Sequence, residues 1–83
     1  MSNASITTLL GKVKANLILE HSADDELLGL YITAATRYAE SYQHLAENFY
    51  DTHPMPTTTE QAVIMLSSHF YESRGKHGRL FLG

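Results

Sequence analysis

Five histidines, a run of three acids and a Ser-Ser-His triplet are the side chains whose types invite chemistry. Imidazole binds zinc, and two histidines four residues apart on one helix can chelate it. His21, His44, His53, His69 and His77 include no pair at that spacing, and there is no cysteine to add a thiolate. No metal and no cofactor are therefore expected. Acid-base catalysis by two carboxylates needs environments that hold their pKa values apart. Asp24, Asp25 and Glu26 are consecutive and read instead as acids complementing the positive end of a helix dipole. Ser67-Ser68-His69 has no orienting acid in sequence and does not resemble a nucleophile elbow. No catalytic residue is assigned, and the chain is expected not to be an enzyme. Tyr31, Tyr38 and Tyr42 form a stripe of the kind that stacks on single-stranded bases. Aromatics at helical spacing among Leu and Ala read more simply as core, with the hydroxyl reaching the edge.

The chain that must position these residues is 83 residues long, 9.3 kDa, with formal net charge −3 and no cysteine. That length fits one domain, and domains below roughly 80 residues often lean on disulfides, metals or oligomerisation. Disulfides are excluded here. A cytosolic or virion setting fits a small cysteine-free domain. No apolar run approaches the ~18 residues of a membrane span, and the N-terminus lacks a signal-peptide pattern. Residues 20 to 60 hold eight acids, Glu20, Asp24, Asp25, Glu26, Glu40, Glu47, Asp51 and Glu60, against one base, Arg37. Such a stretch repels phosphate, which argues against a duplex-binding module. Arg74, Lys76 and Arg79, by contrast, sit near the C-terminus without an acid.

Residues 1–4 are small and polar and read as disordered or tag-derived, leaving one helical domain over residues 5–83. Leu10, Val13 and Leu17, behind Thr7 or Thr8, predict a short first helix weakened by Gly11. Ser22 followed by three acids predicts the start of a long central helix, about residues 23 to 47. Its apolar face would carry Leu27, Tyr31, Ala34, Ala35, Tyr38, Tyr42, Leu45 and Phe49, and its opposite face Thr33, Arg37, Glu40 and Gln43. Ala34-Ala35 offers a place for close helix approach. Asn48 through Thr58 contains Pro54 and Pro56 and reads as the main loop. Thr57 and Glu60 have capping-box spacing, and Ala62, Val63, Leu66 and Phe70 continue a third helix to about Arg74, where Gly75 and Gly78 are expected to stop it. The fold class is thus all-α, a small three-helix bundle with a long central helix and a short C-terminal tail. In that tail Leu80, Phe81 and Leu82 follow the basic residues, and an exposed apolar segment often marks a partner site.

Taken in order, three pieces carry a family resemblance. They are Thr8-Leu9-Leu10-Gly11-Lys12-Val13-Lys14-Ala15-Asn16-Leu17, then Asp24-Asp25-Glu26-Leu27-Leu28-Gly29-Leu30-Tyr31-Ile32-Thr33-Ala34-Ala35 leading to Tyr38-Ala39-Glu40-Ser41-Tyr42, then Gln61-Ala62-Val63-Ile64-Met65-Leu66 with His69-Phe70-Tyr71-Glu72-Ser73-Arg74. Together they resemble the phage head-tail connector family, the adaptor or head-completion proteins that dock under the portal of tailed phages. The third piece resembles the family's apolar helix ending in an aromatic, an acid and an Arg. Family members usually continue with a further docking segment, whereas this sequence ends at Gly83.

The resemblance implies a structural subunit of a virion or prophage, located at the head-tail junction and in the host cytoplasm during assembly. It implies a ring oligomer matching the portal's symmetry, with the portal and a head-completion or tail protein as partners. DNA would pass through the channel without sequence-specific binding, and no membrane is involved. Tyr71, Arg74, Arg79, Leu80, Phe81 and Leu82 are the expected protein-interface residues. The alternative is a small helical DNA-binding or regulatory protein using the second and third helices as a helix-turn-helix. Against it, the intervening loop far exceeds the three or four residues of that turn, and Glu60, Gln61, Ser67, Ser68 and Glu72 make no basic reading face.

Overall fold

The computed structural model describes the backbone of residues 3–82 and the side chains of residues 6–73. Every regular element among these residues is an α-helix: α1 (Asn3–Leu17), α2 (Asp25–Tyr42), α3 (Phe49–Thr52) and α4 (Thr57–Leu82). The all-α class stands, but the arrangement departs from a three-helix bundle with a long central helix. Among the described residues there are four helices, the loop after α2 contains the single turn α3, and α4, at 26 residues against 18 for α2, is the longest. α2 and α4 form the most extensive pair, α1 packs across both, and α3 rests on α2 alone. No helix among the described residues is long and apolar enough to cross a membrane.

The core consists of Leu9 and Val13 from α1, Leu28, Ile32 and Ala35 from α2, and Val63 and Ile64 from α4. Leu28, Ile32 and Ala35 recur at four and three residues, one stripe of a 3.6-residue helix. This stripe is rotated from the expected one. Tyr31 is half-buried against the core, but Tyr38 is 63% and Tyr42 77% exposed, and Ala34 faces solvent. Glu40, expected on the solvent face, is 1% exposed. Two overlapping apolar stripes run along α2, and burial selects the aliphatic one because it interdigitates with Leu9, Val13 and Val63; the tyrosine stripe keeps its hydroxyls in water. On α4 the same selection buries Ser67 and Ser68, which were expected to be exposed.

Helix ends follow local hydrogen bonding more than residue type. After α1, the amide of Leu19 donates to Lys14 O (2.9 Å) and that of Ile18 to Ala15 O (3.2 Å), with Ile18 at φ 58°. After α2, the amide of Leu45 donates to Glu40 O (2.8 Å) and that of His44 to Ser41 O (3.1 Å), with His44 at φ 61°. Both are Schellman closures that satisfy the last carbonyls, and the second ends α2 at Tyr42, five residues before the expected boundary. Leu45 and Phe49 therefore lie outside α2. α1 begins at Asn3. The α4 backbone continues through Gly75 and Gly78 to Leu82. A helical glycine costs only ~1 kcal/mol relative to Ala, so neither of them alone compels a stop.

Polar contacts fix the helices against each other. Asn16 Nδ2 donates to Ser68 Oγ (2.8 Å), Lys12 pairs with Glu60 (2.5 Å) and Lys14 with Asp25 (2.8 Å). The Tyr71 hydroxyl donates to Asp24. Ser22, expected to cap α2, lies two residues before Asp24, which occupies the N-cap position and binds α4, and Glu60, expected to close a capping box with Thr57, reaches α1.

Candidate protein-docking surface

Where α2 and α4 run side by side, α1 covers one side of their seam and leaves the other open. The open side is a groove of about 470 Å³ lined by Ala35, Tyr38, Ala39 and Tyr42 from one wall and by Ala62, Val63 and Leu66 from the other, with Gln43, Thr58 and Thr59 at one end. Ala35 and Val63 are buried at its base with Ala39 half-buried, and the exposed Tyr38, Tyr42 and Ala62 stand at its rims. No charged residue lines it. Met65, 66% exposed, lies next to this wall on α4. Exposed Tyr rings beside an uncharged apolar floor have the composition of a protein interface, in which aromatics are enriched and charge is depleted at the centre.

The end of the groove is held by a buried carboxylate. Arg37 Nη1 donates to both Glu40 oxygens (2.9 and 3.0 Å), and the amides of Tyr50 (2.9 Å) and Asn48 (3.2 Å) donate to the same group. Arg37 Nη2 also reaches Asp51 (3.2 Å). Burial pushes the Glu40 carboxyl up. The Tyr50 amide, the Arg37 guanidinium and the Asn48 amide together outweigh burial and hold it below the ordinary glutamate range. Glu40 thereby fastens α3 onto α2. Tyr50, placed by this bond, donates its hydroxyl to Gln43 Oε1 (2.5 Å), and Gln43 Nε2 donates to Thr59 Oγ1 (3.0 Å), tying the end of α2 to the start of α4.

Of the interface residues expected from sequence, Tyr71 is half-buried, packed on the core and bonded to Asp24. The side chains of Arg74, Arg79, Leu80, Phe81 and Leu82 lie outside the described residues. The sequence reading missed Tyr38 and Tyr42 as surface residues and Glu40 as a buried one. The signal was present: Leu28, Ile32, Ala35 and Ala39 form a purely aliphatic stripe, and Arg37 three residues before Glu40 marks a carboxylate with a partner.

Among the described residues, the side chains weighed for chemistry are placed as follows. Ser67 is fully buried, Ser68 accepts from Asn16, and His69 lies beside Ser73 at 3.4 Å. Asp24 and Asp25 are engaged by Tyr71 and Lys14. Among the described residues no three His, Asp or Glu side chains come together as metal ligands. What the arrangement offers is a surface. No curated protein and no solved structure matches the chain. The family model described as phage gp6-like head-tail connector protein matches residues 7–79, nearly the whole sequence, and the chain belongs to that family.

Proposed function

We propose that the chain is a structural head-tail connector subunit that forms a ring under the portal, continues the DNA channel and docks the next head-completion or tail protein. Family membership across residues 7–79 carries this reading. An open apolar groove supports it, because a ring requires each subunit to contact two neighbours through different faces. Surface charge agrees as well. Glu20, Glu26, Glu47 and Glu72 are exposed, while Lys12, Lys14 and Arg37 are occupied by carboxylates of the same chain. Over residues 6–73 that balance disfavours a grip on phosphate, as a conduit for moving DNA requires.

The same pairs refine the electrostatic reading of the sequence, since Asp25, Glu40, Asp51 and Glu60 serve internal bridges. The test is the solution mass of the purified protein by light scattering over a range of concentrations, alone and co-expressed with the portal protein. A closed oligomer, alone or on the portal, is expected. A monomer indifferent to the portal, together with salt-sensitive retention on DNA, overturns the reading in favour of a DNA-binding regulator.

A further inference from the structure

α4 forms one wall of the open groove, ending there at Leu66, and the same helix runs on without interruption to Leu82. At ~1.5 Å per residue those sixteen further residues carry its end ~24 Å past the groove. A straight helix cannot return its own end to its own side, so residues 80–82 are unable to fill the groove of the chain they belong to. Yet they are the sequence's match for it. Leu80-Phe81-Leu82 is a compact apolar run carrying a large aromatic, and the groove is lined by small apolar residues with no charge.

The flanking charges agree in sign. Arg74, Lys76 and Arg79 lead into the apolar run with no acid among residues 74–83, while Glu20, Glu26, Glu47 and Glu72 are exposed acids on the body. A basic segment with an apolar tip thus complements an acid-rich body with an apolar groove. We propose that the α2–α4 groove of one copy receives residues 80–82 of a second copy, making a head-to-tail contact that uses a different face of each subunit. Where the tip and the groove of each copy engage different neighbours, such a contact closes into a ring or grows into a filament. This proposal rests on the connector reading and supplies the subunit contact that it needs.

The experiment compares full-length chains: the wild type, Ala62→Arg, which fills the groove from an exposed position, and Phe81→Asp, which puts a charge in the apolar tip. Tyr42→Asp serves as a second groove variant. Far-UV circular dichroism and thermal melts establish that each is folded, and native mass spectrometry, with and without co-expressed portal protein, gives its assembly state. Wild type is expected to assemble, and each variant alone to remain monomeric because self-association weakens by about 100-fold or more, as for loss of an interface hot spot.

Mixing Ala62→Arg with Phe81→Asp should then give a 1:1 heterodimer that grows no further. The first keeps a working tip, the second a working groove, and their union leaves only defective ends. Assembly of either variant like wild type overturns the groove-and-tip contact but leaves the connector reading standing. So does a mixture that fails to pair. Wild type that stays monomeric even with the portal overturns both.

Discussion

Replacing Glu40 by Gln tests whether a buried carboxylate holds the end of α2, the α3 turn and the closing end of the groove together. Glu40 is 1% exposed and accepts from Arg37 on both oxygens and from two backbone amides. Gln has one acceptor and one donor where Glu has two acceptors. Either the Tyr50 or the Asn48 amide then faces an NH₂, and Arg37 loses its charged partner. An orphaned buried donor costs roughly 1–3 kcal/mol, and breaking a buried ion pair from one side costs roughly 3–5. Arg37 is partly exposed and retains Asp51, so the lower part of that range applies and the expected loss is about 3 kcal/mol.

For a domain of this size, whose stability is ~4–12 kcal/mol, that loss lowers Tm by about 12–24 °C. Thermal and urea unfolding by circular dichroism at pH 7 measure it. The pH dependence supplies the sign. Because the folded-state carboxyl titrates below its ordinary range, its contribution is complete above about pH 4.3, the unfolded glutamate value, and is lost as pH falls through the lower folded value. The gap between wild type and Glu40→Gln should therefore narrow below about pH 4.3. A loss under about 1 kcal/mol at pH 7, or a gap that does not change down to pH 2.5, refutes the role assigned to Glu40.

Ile18 occupies a left-handed position at φ 58° and is 84% exposed; Ile18→Gly should stabilise the protein by about 1 kcal/mol, seen as a higher urea midpoint with unchanged slope. Gly29 lies inside α2 with nothing within 4 Å of an added Cβ, so Gly29→Ala should raise stability by about 0.5–1 kcal/mol in the same assay. Leu28→Ala, in the core, should cost ~2–5 kcal/mol, whereas Tyr38→Ser and Tyr42→Ser, at the groove rim, should stay within about 0.5 kcal/mol of wild type. A loss at Tyr42 as large as that at Leu28 would overturn the assignment of the tyrosine stripe to the surface.

The sequence by itself determined the all-α class, the approximate start of α2 at its acidic run, the approximate start of α4 after Pro56 and the placement of Val13, Leu17, Ala35, Val63 and Leu66 on inward or partly buried positions. These follow from local pattern: a 3.6-residue apolar period, acids at a helix N-terminus and prolines before a new helix are readable within a few residues. The family resemblance was legible too, in the order of three helical pieces. Which of the two stripes on α2 would be buried was not, because both obey the same period and the choice depends on what α1 and α4 present in return. The early end of α2 was equally hidden, since a Schellman closure at His44 uses no glycine to announce it. Nor does sequence place Glu40 inside. Its burial requires Arg37 and the Tyr50 and Asn48 amides to converge on it, and that convergence exists only once α3 has folded back onto α2. The open groove is likewise a tertiary fact: it appears because α1 covers one side of the α2–α4 pair and no fourth long helix covers the other.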